Sequence, residues 1–330
     1  MFTKNHKIDK ESTDIKIAFV YYSLQSFVKQ DYEILSRHFV TKKANYRNIW
    51  DTFKIFFVVL RTDVSFSWFA GGHSFLAVLF CKLFRKTSVV ILGGGDVADV
   101  PEIDYGGMRK HKRSRYFTKF VLEHADLLLA VSNFTKTEAE KYTDSNVMLL
   151  YNGIDVNYFN CRSNKEDIVV TIGNRYVLKG IETFIDAAKK LPHIKFVIIG
   201  KFDVEITNIP QNVLLTGFLS RNEVVDWLSK AKVYCQLSYY ESFGMALSEA
   251  MACECVPVVT NMGALPEVVG DTGMYVPYGN AEETANAIKK ALRMEGKLAK
   301  DKVYKSFPFQ RRANELVNII YSLYEFSKLT

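Results

Sequence analysis

Apolar, β-branched runs alternate with segments of helical spacing along nearly the whole chain. Ile15–Tyr22 predicts a strand, Gln30–Phe39 a helix, Val64–Trp68 a strand and Ser74–Phe84 an apolar helix. Ser88–Leu92 predicts a strand ending in Gly93-Gly-Gly-Asp96. Leu127–Val131 predicts another, with Ser132 placed to cap the helix that follows. The series then starts again. Strands are predicted at Ile168–Ile172, Lys195–Ile199, Val213–Leu215, Val233–Leu237 and Val256–Thr260, with helices at Gly180–Leu191, Asn222–Lys230 and from Ser242 onward. Phe307–Phe326 predicts a last helix.

Strands alternating with helices of this length imply right-handed βαβ units and parallel sheets, and two successive series imply two doubly wound α/β domains. The boundaries read as a polar tail over 1–14, a first domain over 15–156, a second over 157–305 and a terminal helix over 306–330. In such folds ligands bind beyond the carboxyl ends of the strands, so the cleft between the domains is the expected site.

Composition narrows this only modestly. At 330 residues, 48% hydrophobic and 24% charged, the chain has enough material for two cores. Its longest unbroken apolar run, Phe75 to Cys81, stops at Lys82, far short of the roughly 20 residues that cross a bilayer. That points to a soluble or peripheral protein. Five cysteines without a CxxC pair fit reduced thiols in a cytoplasm better than a disulfide framework. There is no HExxH, no Walker glycine loop and no kinase motif set.

The net charge of +7 is uneven, with 22 Lys/Arg against 17 Asp/Glu in residues 1–160. The densest basic cluster is Arg109-Lys-His-Lys112-Arg113-Ser-Arg115, followed by Phe117, Lys119 and Phe120. A basic face beside a greasy one suits a membrane surface or an anionic acceptor. The cluster lacks the interleaving of basic and aromatic residues that suits base stacking, so no nucleic acid is expected.

The stretch with most chemistry is Glu241-Ser-Phe-Gly-Met-Ala-Leu-Ser-Glu249. It reads as strand, sharp turn and helix, with the helix starting near Ser242 or Phe243. Such a start presents free backbone N–H groups and a positive dipole end to whatever docks there. Glu249, about two turns in, would look back toward the same end. Amide donors for a phosphate and carboxylate acceptors for hydroxyls suit a nucleotide-sugar.

This stretch resembles the EX7E motif of family 4 glycosyltransferases, enzymes of the GT-B fold. Val213-Leu-Leu-Thr-Gly-Phe218, Pro257-Val-Val-Thr, Gly263-Ala-Leu-Pro-Glu267-Val-Val and Thr272-Gly-Met-Tyr-Val resemble other parts of the family's nucleotide domain. Asn152-Gly-Ile-Asp155 resembles its interdomain signature, and Lys179-Gly180 its phosphate-binding lysine. The resemblance implies two Rossmann-like domains facing a central cleft, with the terminal helix returning to the first. It implies retaining transfer from a nucleotide-sugar without an essential metal or other cofactor.

Carried over residue by residue, the resemblance gives Glu249 the ribose hydroxyls, Glu241 the sugar and Lys179 the phosphates, with Arg175 as a second cation. Gly173, Asn174, Phe218 and the Ser242-Phe243-Gly244-Met245 backbone would line the donor site. Three departures stand out. Asn174 occupies the slot where the family carries arginine. Ser23-Leu-Gln-Ser26-Phe27 replaces a glycine pair, making Ser26 and Phe27 acceptor-side candidates. Gly95-Asp96 stands where the family has histidine, so Asp96 would contact the donor sugar, with His73 as an alternative polar contact.

The expectation is a retaining hexosyltransferase acting on a lipid-linked or saccharide acceptor, with an anionic membrane surface as a further partner through Arg109, Lys112, Arg113 and Arg115. Alternatives are a catalytically weak GT-B subunit, a nucleotide-sugar epimerase and, less well supported, a nucleic-acid-modifying transferase.

Overall fold

The computed structural model describes residues 14–109, 112–159, 164–202 and 204–329. The expected tail apart from Asp14, residues 110–111 of the basic cluster, and Cys161 lie outside the described residues.

The first half runs β1 (Lys16–Tyr21), α1 (Ser26–His38), β2 (Val40–Asn45), α2 (Asp51–Leu60), β3 (Val64–Trp68) and α3 (Gly72–Phe84). It continues with β4 (Thr87–Leu92), α4 (Lys112–His124), β5 (Leu127–Ala130), α5 (Asn133–Glu140) and β6 (Val147–Leu149). The second half opens with β7 (Glu166–Ile172), α6 (Ile181–Lys189), β8 (Lys195–Ile199), β9 (Val213–Gly217), α7 (Arg221–Lys230) and β10 (Ala231–Gln236). Then come α8 (Met245–Ala252), β11 (Val256–Thr260), α9 (Leu265–Val269), β12 (Met274–Val276), α10 (Ala281–Ala291), α11 (Lys297–Ser306) and α12 (Phe309–Leu329).

Each half forms a six-stranded parallel sheet, ordered β2-β1-β3-β4-β5-β6 and β12-β11-β10-β7-β8-β9. The central strands are buried on both faces, so β3, β4, β5 and β11 read as apolar runs interrupted only by small polar residues. In each sheet the strand order reverses at one place, between β1 and β3 in the first and between β7 and β10 in the second. The loops after those four strands diverge and leave a crevice.

The chain crosses between the halves at two adjacent places. The Ile154 N–H donates to the Phe307 carbonyl at 2.8 Å, and the Phe309 N–H to the Ile154 carbonyl at 2.9 Å. Beyond this junction α12 packs against α1 of the first domain, as expected. Arg312 lays its guanidinium on Asp31 with two 2.7 Å bonds, and both side chains are almost fully buried. The Trp68 indole N–H also donates to Asp31, and Arg312 reaches the carbonyls of Leu150 and Tyr151. Two charges are tolerated in that interior because the geometry is bidentate and their remaining donors and acceptors are used.

Candidate functional site

A cleft of about 680 Å³ opens between the carboxyl ends of the two sheets. Its second-domain wall comes from the loops after β7 (Gly173, Asn174, Lys179), β9 (Phe218) and β10 (Glu241 to Ala246). Its first-domain wall comes from the loops after β1 (Gln25, Phe27), β3 (Trp68, Phe69) and β4 (Gly93, Gly95), together with Tyr105.

At the centre of the second-domain wall the chain turns sharply into α8. Gly244 has φ +91°, a left-handed conformation that side chains disfavour, although a Cβ there would meet no clash. This turn delays the helix: α8 starts at Met245, not at Ser242 or Phe243. The first bond of the helix runs from the Ser248 N–H to the Gly244 carbonyl at 2.9 Å. The amides of Met245 to Leu247 precede it and have no acceptor within the helix, and Met245 and Ala246 line the cleft. Phe243 contributes backbone only, because its ring is buried against Tyr151 and Phe307.

Glu241 faces these amides with one oxygen heavily used. Its Oε2 accepts from Lys179 Nζ at 2.6 Å, from Gln236 Nε2 at 2.9 Å and from Ser238 Oγ at 3.4 Å. Tyr234 donates to Gln236 Oε1 at 2.9 Å and so fixes the orientation of that amide. The sequence reading gave Lys179 to the phosphates and Glu241 to the sugar as separate handles. The structure joins them into one ion pair, with Lys179 20% and Glu241 15% exposed.

Glu249 lies just over one turn into α8, not two, and is not among the residues lining the cleft. Burial pushes its carboxyl up to about 7, and the positive charge of Arg221 on α7 pulls the other way. Arg175 is exposed and lines a smaller recess beside Tyr105 and Tyr176, adjoining the cleft. Asn174, in the slot expected for arginine, lines the main cleft.

The polar candidates of the first domain are committed elsewhere. Asp96 accepts from the Ala70 N–H with one oxygen and from the Gly94 N–H with the other, both at 2.8 Å. Its carboxylate ties the glycine loop to the end of β3 and does not line the cleft, which corrects the sugar-contact expectation. His73 is buried with Nε2 2.6 Å from the Trp68 carbonyl, to which it donates. Burial pushes it down to about 4, so it is a neutral structural group under the cleft wall. Ser26 is the exposed first residue of α1, and only Phe27 of that pair lines the cleft. Arg109 is engaged by Asp104 at 2.9 Å and Asp99 at 3.9 Å, while Lys112, Arg113 and Arg115 are exposed on α4.

Contacts across the cleft hold the halves together. Ser132 caps α5, as the sequence predicts, and its hydroxyl also donates to the Ser242 carbonyl at 2.5 Å. Tyr240 donates to the Gly94 carbonyl at 3.1 Å. Glu267 does not line the cleft. Its carboxylate accepts from the Asn133 and Phe134 amides at the start of α5 and from the Tyr151 hydroxyl.

Sequence reasoning missed Gln236, Tyr105, Trp68 and Phe69 as cleft residues, and it placed Asn152 only in the interdomain signature. Asn152 lines the cleft and its buried Oδ1 has no hydrogen-bond partner. The signal for Asn152 was present in the Asn-Gly-Ile-Asp stretch. Gln236 carried one too, as a polar residue ending an otherwise apolar strand. No group of three or more metal-ligating side chains is found among the described residues, and no helix there is long and apolar enough to cross a membrane.

Two six-stranded parallel sheets around a cleft define the GT-B architecture of glycosyltransferase structures. Sucrose-phosphate synthase from Thermosynechococcus elongatus superposes with a TM-score of 0.75 at 16% identity, covering 94% of this chain and 99% of that one. HepE from Anabaena, in complex with UDP and glucose, also gives 0.75 at 16% identity, covering 93% and 100%. Residues 159–306 match the family model for glycosyl transferases group 1, in agreement with the resemblance read from the motifs. The chain is 26% identical over 237 residues to the N-acetyl-alpha-D-glucosaminyl L-malate synthase of Bacillus anthracis, covering 62% of each. It is 25% identical over 213 residues to the processive diacylglycerol alpha-glucosyltransferase of Acholeplasma laidlawii, covering 54% of this chain and 61% of that protein. The chain thus spans less than two thirds of the length of these curated relatives.

Proposed function

We propose that this protein is a retaining glycosyltransferase that moves a hexose from a nucleotide-sugar to a lipid-linked or saccharide acceptor without a metal ion. The observation that carries this reading is the Lys179–Glu241 pair beside the open amides of α8, inside a cleft with the volume of a small-molecule site. In transfer, the bond between the anomeric carbon and the donor phosphate breaks, and a bond from that carbon to the acceptor oxygen forms. The negative charge grows on the departing diphosphate. Met245 and Ala246 amides and the Lys179 ammonium are fixed donors for that charge, so little reorganisation is needed as it appears. The acceptor proton leaves with a phosphate oxygen on the same face, which gives retention and requires no side-chain nucleophile.

Binding a diphosphate would draw Lys179 toward it, and Gln236 and Ser238 would keep Glu241 in place for the sugar hydroxyls. Glu249 would take the ribose. The glucosaminyl and glucosyl transfer named for the Bacillus and Acholeplasma relatives supports the reaction class. The UDP held by HepE makes a uridine donor the first to try.

Thermal-shift screening against UDP-, GDP- and ADP-sugars identifies the donor, since a bound nucleotide stabilises by mass action. With that donor, Lys179→Ala and Glu249→Ala should each lower turnover at least about tenfold, or ~1.4 kcal/mol of transition-state stabilisation. Full activity in both variants overturns the site. Activity lost to EDTA and restored by Mg²⁺ overturns the metal-free reading.

A further inference from the structure

The first domain carries a face that neither the cleft nor the interdomain contacts use. Helices α2, α3 and α4 cover one side of its sheet. The inward side of α2 is ordinary core: Ile55 and Val59 are fully buried against Ala77 and Cys81 of α3. Its outward side is apolar as well. Trp50 is 75% exposed, Phe53 60% and Phe57 48%, and at these spacings the three form one stripe along the helix. Leu83 near the end of α3 is 66% exposed.

Aromatic rings continue the surface across all three helices. Phe56 of α2 meets Phe80 and Phe84 of α3 at 5.3 and 5.2 Å, and Phe75 of α3 meets Phe117 of α4 at 4.7 Å. A surface helix that is apolar on both sides lacks the polar face that water would favour.

The charges around this face are mostly positive, the acids near α3 and α4 being the exposed Glu123 and Asp126, the latter paired with Lys82. Lys54 and Arg61 edge the α2 stripe, and Arg61 lies 5.7 Å from the Phe57 ring centre. Lys112, Arg113, Arg115 and Lys119 are exposed along α4. Asp51, the one acid between Arg47 and Arg61, is taken by the loop before α2, where its Oδ2 accepts from the Arg47 and Asn48 N–H groups.

The face also begins at the cleft mouth. Tyr46 follows β2 and donates to the Tyr21 carbonyl at 2.9 Å, so the loop carrying Ile49 and Trp50 lies beside the loop after β1. That neighbouring loop exposes Tyr22 and Leu24 just before Gln25 and Phe27, which line the cleft.

We propose that this α2–α3–α4 face docks on a bilayer containing anionic lipid, with the Trp50–Phe53–Phe57 stripe in the interfacial layer and the α4 cations on the headgroups. Bulky aromatic side chains beside cations match that boundary. A second copy of the chain fits less well, since a twofold contact through this face would bring Lys54, Arg61 and the α4 cations against their own copies. Docked in this way, the chain presents its first-domain cleft wall to the membrane surface, where a lipid-linked acceptor would lie. The bilayer contact itself does not depend on the transferase reading.

The test is flotation of the full chain, without donor, with phosphatidylcholine vesicles and with vesicles containing about 30% phosphatidylglycerol. The expected result is partition onto the anionic vesicles that falls with added salt. Trp50→Ser/Phe53→Ser should lower that partition at least tenfold with the thermal melt kept. Arg113→Glu/Arg115→Glu should lower it on anionic vesicles by a similar factor. Wild-type protein that stays off the vesicles, or a Trp50→Ser/Phe53→Ser variant that partitions like wild type, overturns the proposal. So does a wild-type dimer in sedimentation velocity that becomes monomeric in that variant, because a second copy then covers the face. Loss of vesicle binding with transfer to a soluble acceptor intact would leave the proposed reaction standing.

Discussion

The two halves share an architecture and differ in what their polar residues have left to do. In the second half, the partly exposed Lys179 and Glu241 meet the buried Gln236 at the cleft, bonded chiefly to one another, beside amides that have no acceptor in α8. In the first half, the groups that look equivalent are already spent. Asp96 holds two backbone N–H groups, His73 holds a carbonyl, and Asp31 holds Arg312 and Trp68. What remains on that wall is chiefly aromatic rings and glycine backbone, with the amides of Gln25 and Asn152. A carboxylate near a strand end is therefore no guide to function until its hydrogen bonds are counted. The second half leaves charged groups and amides at the cleft, and the first leaves mainly rings and backbone.

Substitutions can break this contrast, and the largest effect is expected where the spent charges are deepest. Arg312→Ala leaves Asp31 buried without its partner and should cost about 3–5 kcal/mol of stability in denaturant titration. A cost below about 1 kcal/mol would mean that α12 does not anchor the first domain as described. Asp96→Ala comes next. It strands the Ala70 and Gly94 amides, and at about 1–3 kcal/mol for each unsatisfied group stability should fall by about 2–6 kcal/mol. An Asp96→Ala protein with an unchanged melt and no transfer activity would move Asp96 back among the substrate-binding groups, and the contrast between the halves would fail.

The fold was legible where burial dictates composition. Strands β3, β8 and β11 were read to the residue, since an interior strand has few alternatives to an apolar run. β2 was missed because Val40-Thr-Lys-Lys-Ala-Asn45 is an exposed edge strand whose polar residues carry no such pattern. The start of α8 was read too early because apolar spacing does not report the left-handed turn at Gly244. The motif marked the second-domain wall of the cleft, but nothing local showed that Glu241 pairs with Lys179, 62 residues away. Asp96 looked available at the end of three glycines, and the amide that claims one of its oxygens lies 26 residues earlier. The outward side of α2 was invisible for a different reason: Phe-Lys-Ile-Phe-Phe-Val-Val-Leu60 reads the same whether one face or both are covered.

Glu249 gives the smallest and sharpest form of the comparison. Burial holds its carboxyl at about 7 in the folded protein against an ordinary 4.5, so between those values the folded state keeps a proton that the unfolded chain has released. Stability then falls as pH rises through that window. The penalty is absent below pH 4.5 and complete above pH 7. Glu249→Gln removes the ionisation, so variant and wild type should melt alike near pH 4.5, with the variant about 3 kcal/mol more stable at pH 8. Nucleotide binding should show the opposite trend. Ribose hydroxyls donate best to the ionised carboxylate, so wild-type affinity should rise with pH through about 7 while the variant stays weak and flat. If Glu249→Gln instead destabilises the protein at pH 8 and leaves nucleotide affinity unchanged, Glu249 is a structural acid of the same kind as Asp96. A group that costs stability at neutral pH and returns it as ligand affinity belongs to a binding wall, and calorimetry at two pH values tells the two cases apart.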